Sequence, residues 1–213
     1  MGRNYAPNLY VPGKASILGR PTCYRCFRPS FQCVCSLVAP FAAHVNTVVL
    51  QHPNERKKYY STAKLLSSAV TNCTLLRGLE FDHNFLAQKT SGQRCYLLYP
   101  SPEAVDCSEV PLSTEDTVIV VDGTWREAGK IIYRNPFLQQ LPRLSFREEL
   151  QSQYRIRKQP KQGCLSTIES VAHLLKRNAL VSRAGDSLSR YDSLLEGFEQ
   201  MIAQQLAFWP ARG

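Results

Sequence analysis

Thr117 to Ala128 reads TVIVVDGTWREA, and its two halves carry different structural instructions. Thr117, Val118, Ile119, Val120 and Val121 form an unbroken β-branched run, the pattern of a strand buried on both faces. The run stops at Asp122-Gly123, a turn pair, and resumes as a helix from Thr124 or Trp125 onward. In open α/β sheets ligands bind at the carboxyl ends of strands, where helix N-termini and loops converge. Asp122 therefore lies where chemistry is done, beside a glycine, a hydroxyl and an indole. The blander reading makes Asp122 a cap for the next helix and Trp125 core filler.

The flanking chain repeats the α/β alternation. Val45 to Leu50 reads as a strand that runs into a polar loop, QHPNERKKYYST, and Thr62 to Val70 as a short helix. Cys73 to Arg77 and Arg94 to Tyr99 read as two further strands, the latter stopping at Pro100. Thr124 to Arg134 is helical until Asn135-Pro136 ends it, and Leu141 to Phe146 is a short extended piece. Ser166 followed by Glu169 is a capping-box pattern opening a helix to about Leu180. In the final helix Leu188, Tyr191, Leu195, Phe198, Ile202 and Leu206 recur at helical spacing, a stripe that packs on the sheet. The fold class is α/β, a mostly parallel sheet flanked by helices. No Gly-x-Gly-x-x-Gly or P-loop pattern is present, which disfavours dinucleotide and P-loop nucleotide sites.

Gln51, His52 and Glu55 follow the first strand as Asp122 follows the fourth. In a parallel sheet the two clusters share one edge. His52 is a candidate base or hydrogen-bond donor, or a residue that satisfies a loop carbonyl.

The 213 residues are 44% hydrophobic and 20% charged, which suits a globular domain with a real core. No apolar run approaches the roughly 18 residues of a membrane span, and the opening MGRNYAPNLYVPG lacks the apolar region of a secretory signal. A cytoplasmic protein is expected, with no membrane partner; nothing in the sequence specifies an oligomeric state. The formal net charge of +9 favours polyanions. Arg56, Lys57 and Lys58 precede Tyr59 and Tyr60, and Arg155, Arg157, Lys158 and Lys161 lie beside Tyr154. Basic residues interleaved with aromatics can pair phosphates and stack on unpaired bases, so RNA is the expected partner.

Four of the eight cysteines fall within thirteen residues, Cys23-x2-Cys26-x6-Cys33-x-Cys35. In a reducing compartment such clustering points to metal rather than disulfides. Four thiolates make a closed structural zinc site with no open position for substrate. An iron–sulfur cluster is the runner-up. Residues 1–40 are read as an N-terminal extension carrying this segment, and 41–213 as the catalytic domain.

Five segments, CYRCFRPSFQCVC, LQHPNERKK, LLYP, DGTW and YRIRKQP…LSTIES, occur in this order and together resemble the DTW-domain proteins. The signature Asp-x-Thr-Trp is here Asp122-Gly123-Thr124-Trp125. More narrowly, the chain resembles the tRNA-uridine aminocarboxypropyltransferases of that family. The resemblance implies transfer of the 3-amino-3-carboxypropyl group of S-adenosylmethionine to N3 of a tRNA uridine, releasing methylthioadenosine. It also implies kinship with SPOUT-type enzymes, whose α/β domain carries a C-terminal trefoil knot. On that reading Asp122 is the candidate base, with Thr124 and Trp125 orienting it and walling the pocket. Leu98, Tyr99 and Leu144 would line the adenine pocket, and Arg155, Arg157, Lys158 and Lys161 would hold tRNA phosphates or the methionine carboxylate. Two other readings stand beside it: a SPOUT-like RNA methyltransferase using the same co-substrate, and a non-catalytic RNA-binding zinc protein.

Overall fold

In a computed structural model of the chain, the residues described are 21–26, 28–58, 61–84, 86, 94–147, 150–153, 164–184 and 188–207, excepting the side chains of 56 and 57. Six parallel strands form one sheet: β1 (Asn46–Gln51), β2 (Cys73–Arg77), β3 (Arg94–Leu98), β4 (Val105–Asp106), β5 (Asp116–Asp122) and β6 (Arg143–Ser145), in the order β2-β1-β5-β3-β6-β4. The sheet bears out the expected α/β class. Thr117 to Val121 is its inner strand β5, paired with β1 on one side and β3 on the other. Its first residue, Asp116, is fully buried and is clasped by two hydrogen bonds from Arg94 at 2.7 and 3.0 Å.

Side chains alternate cleanly across the sheet. Val49, Leu98, Val118, Val120 and Leu144 face a core built with α1 (Thr62–Ala69), α4 (Thr167–Val181) and α5 (Leu188–Ala207). Val48, Leu50, Leu97 and Ile119 face the opposite core with α2 (Trp125–Arg134) and α3 (Pro136–Gln140). Helix α3 differs from the expected stop: Asn135 ends α2, but Pro136 sits at the first helical position, where its missing N–H costs nothing, and the chain turns helical again. The stripe on α5 is rotated from the expected one. Tyr191, Leu194, Phe198, Met201 and Ile202 are buried, while Leu188 and Leu206 are exposed.

The cysteine segment does not stand apart from the sheet. Cys26, Val34 and Val38 belong to the α1/α4/α5 core, the buried Arg28 donates to Met201 Sδ at 3.0 Å, and Arg25 donates to the Ser68 carbonyl at 3.0 Å. The expected C-terminal knot falls on a part of the chain in which 148–149, 154–163 and 185–187 lie outside the described residues. Among the described residues no helix is long and apolar enough to cross a membrane.

Candidate active site

Three strands end in one row. Arg77, Gln51 and Asp122 are register partners on β2, β1 and β5, and alternation turns all three toward the α1/α4/α5 side. Gln51 is fully buried and Asp122 is 7% exposed. The Gln51 amide donates to Asp122 Oδ2 at 2.7 Å and to Ser61 Oγ at 3.0 Å, and its carbonyl oxygen accepts from Arg77 Nε at 2.9 Å. Arg77 thereby dictates which end of the Gln51 amide faces Asp122. The Thr167 hydroxyl, at the first position of α4, donates to Asp122 Oδ1 at 2.5 Å. A buried carboxylate with a donor on each oxygen is held in one orientation.

Asp122 is not the cap of the following helix. That task falls to Thr124, whose hydroxyl accepts from the Glu127 backbone N–H, while the Glu127 carboxylate accepts from the Thr124 N–H at 2.9 Å and hydroxyl at 2.8 Å. The Thr124 hydroxyl is thus engaged with Glu127, and Asp122 takes its orientation from Gln51 and Thr167. Gly123 permits the turn's close approach, since a Cβ there would stand 3.0 Å from Glu127 Cβ.

Glu127 also accepts from the Asn54 amide at 3.0 Å and lies 3.4 Å from His52 Nδ1, which ties the β1 loop to the β5 turn. Burial works against its charge, but the Thr124 N–H, the Asn54 amide, the Thr124 hydroxyl and His52 outweigh burial and bring its carboxyl down to about 2. His52 caps a short 3-10 turn (Pro53–Lys57), its Nδ1 accepting from Asn54 N–H at 3.2 Å, and its own N–H donates to the Asp122 carbonyl at 2.9 Å. The structure therefore places His52 beside Asp122 through backbone. Glu55 is buried and receives Lys58 Nζ at 2.5 Å. Lys57 contributes backbone to that turn; Arg155, Arg157, Lys158 and Lys161 lie outside the described residues.

Leu98 and Leu144 are register partners on β3 and β6, both buried on the Asp122 side, and Tyr99 N–H donates to the Leu144 carbonyl at 3.0 Å. Tyr99 itself belongs to the α2/α3 side, where its ring meets Trp125 edge-on at 5.7 Å between centroids. Trp125 is 47% exposed, so it is not core filler, and its indole N–H donates to Cys164 Sγ at 3.3 Å. The Glu169 carboxylate is 2% exposed and accepts from the Ser152 hydroxyl, Gln153 N–H and Ser166 N–H. Gln153 and Cys164, which bracket the second basic cluster, are thus both fastened by residues of α4 or α2 at this edge. Arg77 and Thr167 were not singled out by sequence reasoning, although Thr167 falls inside the segment LSTIES; Gln51 was noted only as the first polar residue after its strand. The pattern Thr124-x-x-Glu127 would have identified the cap as surely as Ser166-x-x-Glu169 did.

The Sγ atoms of Cys23, Cys26, Cys33 and Cys35 all lie within 4.8 Å of one another, with Cys23–Cys35 and Cys26–Cys33 at 3.8 Å. A tetrahedral ion with sulfur ligands at about 2.3 Å requires edges of about 3.8 Å. Burial, and then the charge of Cys26, push the Cys35 thiol upward, a conflict that a dication at the centre would relieve. The four side chains can hold a metal ion.

A family model described as DTW domain matches residues 20–206. The chain is 32% identical over 163 residues to tRNA-uridine aminocarboxypropyltransferase 2 of Macaca fascicularis, covering 72% of this chain and 55% of that protein. It is 34% identical over 165 residues to the Drosophila melanogaster protein of the same name, covering 73% and 66%. It is 25% identical over 219 residues to tRNA-uridine aminocarboxypropyltransferase A of Arabidopsis thaliana, covering 87% and 81%. The match thus spans just over half the length of the Macaca relative. No solved structure matches. With the tetrad Asp122-Gly123-Thr124-Trp125 at the carboxyl edge of β5 and a match that runs almost the length of the chain, the chain belongs to the DTW domain family.

Proposed function

We propose that the chain transfers the 3-amino-3-carboxypropyl group of S-adenosylmethionine to N3 of a tRNA uridine. The observation that carries this reading is the oriented carboxylate of Asp122 at the edge where the family's motifs converge. The co-substrate, when bound, supplies a sulfonium whose adjacent carbon is open to attack. Its positive charge suits a site whose buried anchor is a carboxylate, and Leu98 and Leu144 offer apolar lining on the same side of the sheet, whereas Tyr99 faces the other way. Uridine N3 is a poor nucleophile while protonated. Asp122 accepts that proton as the new N3–carbon bond forms, and the carbon–sulfur bond breaks with its electron pair leaving on sulfur as methylthioadenosine. Gln51 and Thr167 hold the carboxylate in place throughout. Thr124 and Glu127 hold the turn, and Trp125 walls the rim.

Arg155, Arg157, Lys158 and Lys161, with Lys57 and Lys58, are proposed as phosphate contacts, which the salt dependence of tRNA binding tests. Cys23, Cys26, Cys33 and Cys35 are proposed to bind zinc, because four sulfurs this close leave room for one ion and not for a multi-iron cluster.

Incubation with unmodified tRNA and S-adenosylmethionine, followed by mass spectrometry of nucleosides and of the spent co-substrate, tests the reaction. Aminocarboxypropyl-uridine and methylthioadenosine are expected. S-adenosylhomocysteine would make the chain a methyltransferase, and no product at all would favour an RNA-binding role. Asp122→Asn is expected to lose about 10²–10⁴-fold in turnover while still binding S-adenosylmethionine. The asparagine fits the same slot: its oxygen faces Gln51, and the Thr167 hydroxyl rotates to accept from its nitrogen. Near-normal turnover would return Asp122 to a structural role.

A further inference from the structure

Trp125 and Arg143 raise a question that the reaction alone does not answer. A tryptophan that leaves 47% of its surface in water is ordinarily free to move, yet this indole is fixed by its N–H bond to Cys164 Sγ and by the edge-on Tyr99 ring. Its polar edge is satisfied and its apolar surface is held open. The Arg143 guanidinium also lies over the Tyr99 ring, 5.8 Å from its centroid. Arg143 is partly buried, and its side chain makes no hydrogen bond or ion pair with any described residue. Leu97 and Arg143 are register partners, and alternation puts Leu97, Tyr99 and Arg143 on the α2/α3 side. Asp122, Leu98 and Leu144 face the other way, into buried surroundings. The rim therefore has two sides: a buried one around the carboxylate, and an exposed aromatic one with a guanidinium that has no acidic partner among the described residues.

We infer that Trp125, Tyr99 and Arg143 form a platform on which an unpaired nucleobase of the RNA substrate stacks, with the Arg143 guanidinium taking the adjoining phosphate. The inference rests on the reading that the substrate is tRNA and adds which residues engage it. Exposed, rigid aromatic faces beside guanidinium groups are how single-stranded RNA is gripped. A macromolecular substrate reaches the exposed side first, whereas a small co-substrate is better sheltered beside Leu98 and Leu144. The net charge of +9 supplies the complementary long-range attraction.

The sequence contains two tryptophans, Trp125 and Trp209, so a Trp209→Phe protein reports on Trp125 alone. Its fluorescence is titrated separately with a short uridine-rich RNA and with S-adenosylmethionine, with RNA binding followed in parallel by gel shift. Quenching by the RNA and not by S-adenosylmethionine is expected. In the two-tryptophan protein, Trp125→Leu should weaken RNA binding roughly 5- to 150-fold, and Trp125→Phe should restore most of it. Phenylalanine lacks the indole N–H as leucine does, so this comparison isolates the ring from the Cys164 bond. Emission that RNA leaves unchanged, quenching by S-adenosylmethionine alone, or equal losses in the two variants would overturn the platform. Because this readout needs no turnover, a protein that binds RNA through Trp125 yet yields no product would refute the reaction and leave the platform standing.

Discussion

Asp122 is held by two residues that are 71 and 45 positions away in sequence, Gln51 and Thr167. Neither could be named as a partner from the sequence, because contact between them depends on strand register and on where α4 begins. What could be read was local: a buried strand ending in a carboxylate. The consequence is a charge constraint that substitution can probe. Gln51→Glu sets a second carboxylate against the first at hydrogen-bond distance, and two carboxylates in one site resist full ionisation. If Asp122 works as a base, the acid limb of the pH–rate profile moves to higher pH, and activity recovers as pH rises. Thr167→Val removes the other donor without adding charge, and should lower kcat more than it raises the KM for S-adenosylmethionine. A pH profile for Gln51→Glu that superimposes on the parent would show that Asp122 does not titrate in the rate-determining step.

At the scale of elements, the existence and type of the longer strands were legible, because apolar and β-branched runs leave a strong mark. What escaped were elements defined by one or two residues. The two-residue strand β4 carries no periodicity of its own, and α3 hides behind a proline read as a stop. Helix α2 shows how a cap couples an element to the site. Its Glu127 joins the β5 turn to Asn54 and His52 of the β1 loop, and its carboxyl is lowered from 4.5 to about 2 despite burial. An acid lowered on folding adds stability above its unfolded value, and that stability is lost as pH falls toward the folded value. Glu127→Gln keeps a capping-box oxygen but removes the charge. The variant should therefore be less stable than the parent at neutral pH, and the difference should close between pH 4.5 and about 2 in denaturant titrations. A deficit that persists unchanged at the acid end would locate the loss in packing instead.

For the whole molecule, the cysteine segment decides whether the sheet's helical layer is complete. Cys26, Val34 and Val38 enter the core that α1, α4 and α5 share, and Arg28 and Arg25 reach Met201 on α5 and Ser68 on α1. Val38 packs so closely on α5 that a Cβ at Gly197 would clash with its Cγ2. The sequence showed the ligand spacing but not this docking, since a spacing pattern carries no information about what the loop leans on. The four sulfurs point inward on one another and leave no ligand position open to substrate, and Asp122 is held by Gln51 of β1 and Thr167 of α4. The metal should therefore matter to folding and not to the chemical step. Elemental analysis is expected to find one zinc per chain. Cys33→Ser should unfold at least about 5 °C lower, since 1 kcal/mol shifts the midpoint by about 2–4 °C in a chain of this size and a structural zinc contributes several kcal/mol. Turnover per folded molecule, measured well below that midpoint, should stay within about threefold of the parent, a change of under 1 kcal/mol in barrier. A folded Cys33→Ser protein that has lost turnover would place the metal segment in the reaction itself, and iron in the purified protein would replace the zinc assignment.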